Sequence, residues 1–179
     1  MNNDIKHLRG IILLVMLWFC STIQGQIYKY IGLEDGLSSR NVYAVQQANG
    51  GFMWFLTDNG IDRYDGTEIS RYSLTINNIK FTEYSSCRLI YDGQKDNLWL
   101  ATGSGKLLYY TQRSNSFELA YEPKIQYRRS DIMRCAVSPI DANGNIWMFV
   151  GEQAFRYNIH SNTGCEMSLS SEDQNMTFT

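Results

Sequence analysis

The sequence predicts an all-β fold, an incomplete β-propeller of about three four-stranded blades behind an N-terminal signal peptide. Three observations carry that prediction. Trp54, Trp99 and Trp147 recur at spacings of 45 and 48 residues, close to the roughly 40–50-residue period of propeller blades. Between them, apolar and polar residues alternate in short runs bounded by Gly, Asn and Asp clusters, the pattern of strands joined by tight turns. Aromatic residues make up 13% of the 179-residue chain, with 12 Tyr against 2 Pro, a composition that favours strands.

The elements follow in chain order. Lys6, His7 and Arg9 give a basic start, Ile11 to Phe19 an unbroken apolar run, and Ser21 to Gln26 a short, mostly polar stretch with Gly25 as the cleavage residue. Residues 1–25 therefore read as a secretory signal peptide, and the expected location is periplasmic. The apolar run is short against the ~20 residues that span a bilayer, so membrane contact is expected only through an uncleaved leader. Cys20 is set aside as a lipidation site because Trp18 and Phe19 are too bulky for the residues before a lipidated Cys. Residues 26–40 read as a leading strand and the loop into the first blade.

Blade 1 is expected over 41–80, with strands Asn41–Gln46, Phe52–Thr57, Ile61–Tyr64 and Thr67–Tyr72. Asn59-Gly60 and Asp65-Gly66 supply residues that tolerate positive φ in tight turns. Blade 2, over 81–127, has strands Cys87–Tyr91, Leu98–Thr102, Lys106–Tyr110 and Ser116–Tyr121, with Gly103-Ser104-Gly105 at a hairpin. Blade 3, over 128–169, has strands Ile132–Val137, Ile146–Val150, Ala154–Asn158 and Cys165–Leu169, with Gly151 standing in for the hairpin glycine. The tail 170–179 carries no blade pattern. Each Trp is expected to fill the gap to a neighbouring blade, because a four-stranded sheet cannot cover its own apolar face.

Ten residues after the tryptophans stand Tyr64, Tyr109 and Tyr157; twelve before them stand Val42, Cys87 and Cys135. Two of the three post-leader cysteines thus share one repeat position with a valine and read as buried, inert thiols. With Cys165 the count is odd, which argues against a disulfide framework.

The run Gly36-Leu37-Ser38-Ser39-Arg40-Asn41-Val42, continued by Gly51-Phe52-Met53-Trp54-Phe55-Leu56-Thr57-Asp58-Asn59-Gly60-Ile61-Asp62-Arg63-Tyr64-Asp65-Gly66, resembles the two-component regulator propeller repeat; Asn97-Leu98-Trp99-Leu100-Ala101-Thr102 repeats it. That repeat builds the periplasmic sensor half of hybrid two-component systems in Bacteroidetes. The resemblance implies a larger protein with two propellers, a β-sandwich, one membrane helix and cytoplasmic kinase, receiver and DNA-binding parts. It also implies sensing of polysaccharide breakdown products, coupled to a phosphorelay, and an outer strand over Ile27 to Ile31 that closes the ring. On this reading three blades are too few to close a ring, and the chain is expected to be an N-terminal fragment that does not signal alone.

Chemistry is sparse. Net charge is −2 with Lys and Arg scattered, which argues against a nucleic-acid footprint. His160 is the only post-leader histidine, too few for a metal site or a His-based relay. Asp58, Asp62 and Asp65 lack the spacing of a calcium loop and read as turn residues. No cofactor or metal is expected, and no catalytic residue. Propeller loops that enter the inner strand or join the second and third strands would carry any ligand site; they hold Arg40, Asp58, Asn59, Ser104, Arg134 and Glu152. The expected partners are a saccharide breakdown product and the rest of the ring, from a longer parent or from a second copy. Two alternatives are a self-assembling interaction propeller and, with least support, part of a carbohydrate-active enzyme.

Overall fold

The computed structural model describes residues 28–124, 136–151 and 153–168. The chain divides into Met1–Tyr30, of which Tyr28–Tyr30 are described, and Ile31–Thr179. The expected signal peptide and tail, together with Cys20, Cys135, Arg134 and Glu152, lie outside the described residues.

Fourteen strands are found among the described residues, and twelve of them form three four-stranded antiparallel meanders. The first contains β1 (Val42–Gln47), β2 (Met53–Thr57), β3 (Gly60–Tyr64) and β4 (Ile69–Tyr72). A short hairpin follows, β5 (Thr75–Ile76) and β6 (Ile79–Lys80), then the second meander: β7 (Arg88–Asp92), β8 (Asn97–Ala101), β9 (Leu107–Thr111) and β10 (Ser116–Tyr121). The third contains β11 (Ala136–Val137), β12 (Asn145–Val150), β13 (Gln153–Asn158) and β14 (Thr163–Ser168). This is an all-β chain of blade-like sheets. No helix of the described residues is long and apolar enough to cross a membrane.

The sheets bury their faces against each other. Trp54, Leu56, Ile61 and Tyr72 of the first pack with Leu98, Leu100 and Leu108 of the second. The other face of the second presents Trp99, Ala101 and Leu107 to Ile146, Met148, Val150, Phe155 and Tyr157 of the third. A strand buried on both faces cannot alternate apolar with polar, which accounts for the continuous run Leu98-Trp99-Leu100-Ala101. Each fully buried Leu or Ile in these layers contributes roughly 1.5–3 kcal/mol.

The tryptophans behave as the repeat predicts where a neighbour is present. Trp54 sits edge-on to Tyr110 of the second sheet, centroids 4.8 Å apart, and Trp99 lies 5.8 Å from Tyr157 of the third. Trp147 is half-buried, on the face of β12 that points away from the second sheet.

Several details depart from the sequence reading. Residues 28–32 are in no ladder, and a 3-10 turn, Leu33–Asp35, follows them; a strand forms only where a partner ladder satisfies its backbone. Ile31 and Leu37 instead cover Phe55 and Tyr64 on the outer face of the first sheet. Cys87 is fully buried between the first two sheets, whereas Val42 is 37% exposed, so the shared repeat position is a shared environment only where a preceding sheet covers it. In the first hairpin the positive φ falls on Gly60 alone, not on Asn59; a Cβ there would lie 2.8 Å from the Tyr72 carbonyl oxygen.

The tyrosines also split. Trp54 pairs with Arg63 and Trp147 with Arg156, but Trp99 pairs with Tyr109, because the β8–β9 hairpin is one residue longer than the other two. A one-residue shift moves a side chain to the opposite face. Tyr109 therefore shares the face of Trp99, while Tyr64 and Tyr157 lie on the face opposite their tryptophans, where Tyr110 is their counterpart.

Candidate functional site

In a four-stranded meander the start of the first strand, the loop between the second and third, and the end of the fourth lie at one end of the sheet. Arg40, Asp58, Asn59 and Ser104 all belong to this end. The fold uses most of the first group. The Asn41 side-chain amide donates to Asp58 Oδ2 at 2.9 Å, and the Asn59 side chain donates to the Ser38 carbonyl at 2.8 Å. Hydrogen bonds from Ser39 and Asn41 hold the Asp58 carboxyl below its ordinary value. Arg40 is exposed beside them.

Beneath this loop lies a polar knot. Asp62, in mid-β3 and fully buried, accepts the Ser38 backbone N–H at 2.7 Å on Oδ2, and Arg71 Nε stands 3.7 Å from Oδ1. The Ser38 and Thr57 hydroxyls are 2.7 Å apart, and Thr57 Oγ1 also accepts the Asn59 N–H. Asp62 is thus a tether for the leading segment and not a turn residue. The turn reading holds for Asp65, whose Oδ1 accepts the Thr67 N–H, the Thr67 hydroxyl and the Glu68 N–H, each at 2.8 Å.

Ser104 occupies a different feature at the same end. The β5–β6 hairpin, absent from the sequence reading, stands against the β8–β9 loop and encloses a cleft of about 310 Å³ lined by Ile76, Asn77, Ile79, Lys80, Phe81, Thr82, Glu83, Ser104 and Lys106. The hairpin turns on Asn77 and Asn78, both at positive φ, a two-residue loop that Asn tolerates. That signal was present in the sequence as Asn77-Asn78 between two isoleucines. Glu122 bridges the two walls: Lys106 Nζ lies 2.7 Å from its Oε1, and the Asn77 amide donates to Oε2 at 3.3 Å. Those contacts, Lys106 first, hold the Glu122 carboxyl below its usual range.

The cleft combines donors and acceptors (Asn77, Thr82, Ser104, Lys80) with apolar surface from Phe81 and from Ile79, which is 71% exposed. Its volume lies at the lower end of the ~300–1,000 Å³ typical of small-molecule sites. Such a lining suits a hydroxylated ligand with an apolar face. No group of three or more His, Cys, Asp or Glu side chains that could hold a metal is found among the described residues. Arg40, Asp58 and Asn59 do not line the cleft.

No protein-family model matches the chain, and no curated protein matches it. Solved structures do. The extracellular domain of BT3049 from B. thetaiotaomicron, a proposed hybrid two component system, is 21% identical over 80% of this chain and 20% of that one, with a TM-score of 0.56. The extracellular domain of BT4673 from the same organism, also a proposed hybrid two component system, is 14% identical over 83% of this chain and 20% of that one, with a TM-score of 0.59. Streptogramin B lyase is 18% identical over 75% of this chain and 43% of that one, with a TM-score of 0.52. The chain spans about a fifth of the length of the two extracellular domains. What it shares with all three is the fold.

Proposed function

We propose that this chain supplies blades to a β-propeller that senses a ligand outside the cytoplasm, as part of the sensor half of a hybrid two-component regulator of polysaccharide use. The observation that carries the reading is the sheet arrangement shared with the two B. thetaiotaomicron extracellular domains over about four-fifths of the chain, in a sequence whose first repeat resembles the propeller repeat of such sensors. The ligand on this reading is an oligosaccharide breakdown product, and the cleft that holds Ser104 is its contact on this part of the ring. Residues 1–25 direct export to the periplasm, and signalling depends on further blades and on a kinase in a longer parent. The lyase likeness adds no enzymatic argument, because one fold hosts unrelated chemistries.

Calorimetric titration of the full chain with a panel of plant and host oligosaccharides tests this. At least one is expected to bind, and Ser104→Ala with Lys106→Ala is expected to weaken it. Failure of every oligosaccharide to bind, together with a downstream reading frame that encodes neither further repeats nor a kinase, contradicts the proposal.

The half-buried Trp147 favours a second reading, in which two copies assemble face to face and complete a ring of about six blades, within the usual four to eight. A discrete dimer on sizing of the mature chain supports it; a monomer excludes it.

A further inference from the structure

We propose that Asn49 is a self-modification site: the Asn49-Gly50 peptide closes to a cyclic imide and opens to aspartate or isoaspartate, which loosens the tie between the first two sheets. The inference stands apart from the readings above, since it concerns the turn between β1 and β2 and needs no ligand.

The chain carries three Asn-Gly pairs: Asn49-Gly50, Asn59-Gly60 and Asn143-Gly144. Asparagine is a thermolabile residue, and a following glycine leaves the main chain free to bring its nitrogen against the carboxamide carbon. The fold separates the three. Gly60 is paired with Thr57 in the β2–β3 ladder, and the Asn59 amide is held on the Ser38 carbonyl in a part-buried bond. Gly144 is buried against His160, and its N–H donates to the Asp141 carbonyl at 2.9 Å. Asn49 and Gly50 are both exposed, and among the described residues the Gly50 N–H donates no hydrogen bond. A nitrogen that is exposed and uncommitted can attack without first breaking a bond of the fold.

The neighbours give the reaction its consequence. Asn49 links its turn to the second sheet: its backbone N–H donates to the Tyr91 hydroxyl at 2.7 Å and reaches Asp96 Oδ1 at 3.3 Å, and its Nδ2 donates to the Gly93 carbonyl at 3.0 Å. The Nδ2 bond is exposed, so water competes for it and it does not lock the side chain. In the reaction the Gly50 nitrogen gives its proton to solvent and bonds to Asn49 Cγ, the Cγ–Nδ2 bond breaks and ammonia leaves. Water then adds to either imide carbonyl, giving aspartate or isoaspartate with no change of oxidation state. Both products lack the Nδ2 donor and bring a carboxylate towards the Gly93 carbonyl and Asp96, so a hydrogen bond between the sheets is replaced by repulsion. Isoaspartate also lengthens the main chain by one carbon, which shifts the N–H groups of the turn.

Ageing of the full chain in mildly alkaline buffer at body temperature, followed by peptide mapping in the mass spectrometer and labelling with an isoaspartyl methyltransferase, tests the assignment. The peptide that holds Asn49 is expected to gain isoaspartate at least tenfold faster than those that hold Asn59 and Asn143, whereas in denaturant all three are expected to react at similar rates. Asn49→Gln, whose longer side chain closes the imide ring poorly, is expected to remove the fast reaction. The aged chain is expected to show a lower denaturation midpoint, and fresh Asn49→Asp to show the same loss; if Asn49→Asp does not fold, the midpoint of aged Asn49→Gln, expected to hold steady, carries that comparison. Modification of Asn59 or Asn143 as fast as Asn49 in the native chain, or no isoaspartate at Asn49 while the denatured chain acquires it, overturns the proposal. An unchanged midpoint after Asn49 has reacted overturns the loosening.

Discussion

At the scale of single residues, the first sheet gives two aspartates different tasks. Asp62 is fully buried and accepts the Ser38 N–H, so Asp62→Ala leaves a buried donor unsatisfied. A loss of about 1–3 kcal/mol is expected, read as a lower denaturation midpoint at unchanged slope. Asp65 is exposed, and the backbone N–H groups of Glu68 and Thr67 hold its carboxyl down at about 2 from an ordinary 3.8. A depressed carboxylate stabilises the fold above its unfolded value and loses that contribution as pH falls through its folded one. The turn is therefore expected to weaken between about pH 3.8 and about pH 2, and Asp65→Asn to flatten acid sensitivity in that window when unfolding is followed by circular dichroism. Gly60 combines φ of +142° with a Cβ position 2.8 Å from the Tyr72 carbonyl oxygen. Gly60→Ala is expected to cost roughly 1–3 kcal/mol in the same assay. Asp65 was legible as a turn residue from Asp65-Gly66. Asp62 was not, because its role depends on a segment more than twenty residues earlier folding back over β3.

Among elements, the contact between the first two sheets is built on an aromatic cage around a cation. The Arg63 guanidinium carbon lies 4.9 Å from the Phe52 ring centroid and 5.6 Å from those of Trp54 and Tyr72. Its Nη1 donates to the Tyr110 hydroxyl at 2.8 Å, and the hydroxyls of Tyr110 and Tyr72 both donate to Asn115 Oδ1. Burial, first, pushes the Tyr72 hydroxyl up to about 12, so it stays a donor throughout the physiological range. Trp54→Ala empties the centre of this contact and is expected to cost about 3–5 kcal/mol. Trp147→Ala is expected to cost clearly less, because Trp147 is half-buried; parallel denaturant melts compare the two. The repeat of the three tryptophans, their turns and the twelve strands of the meanders could be read from the sequence, guided by the 45- and 48-residue spacings. The faces of Tyr109 and Tyr110 could not, since one extra hairpin residue reverses them, and sequence alignment places no weight on side-chain direction.

On the scale of the whole chain, sheets of this kind act as nearest-neighbour units. The second sheet is covered on both faces, whereas the Trp147 and Phe149 face of β12 is only half-buried. Residues 26–179 expressed alone are expected to melt broadly and to bind a hydrophobic dye at the third sheet. A sharp, cooperative melt of a monomer in the calorimeter contradicts this expectation.

The sequence by itself determined the all-β class, the Trp-centred period, the strand positions to within a residue or two and the turn role of Asp65, because these rest on local alternation and on backbone preferences of Gly, Asn and Asp. Only the tertiary structure decided which polar loop residues come together. The β5–β6 hairpin brings Asn77 to Ser104 and Lys106, while Asp58 and Asn59 are taken up in holding the leading segment and Arg40 stands exposed beside them. Burial and unpaired polarity are properties of packed surfaces, and a linear pattern carries no record of which surfaces meet.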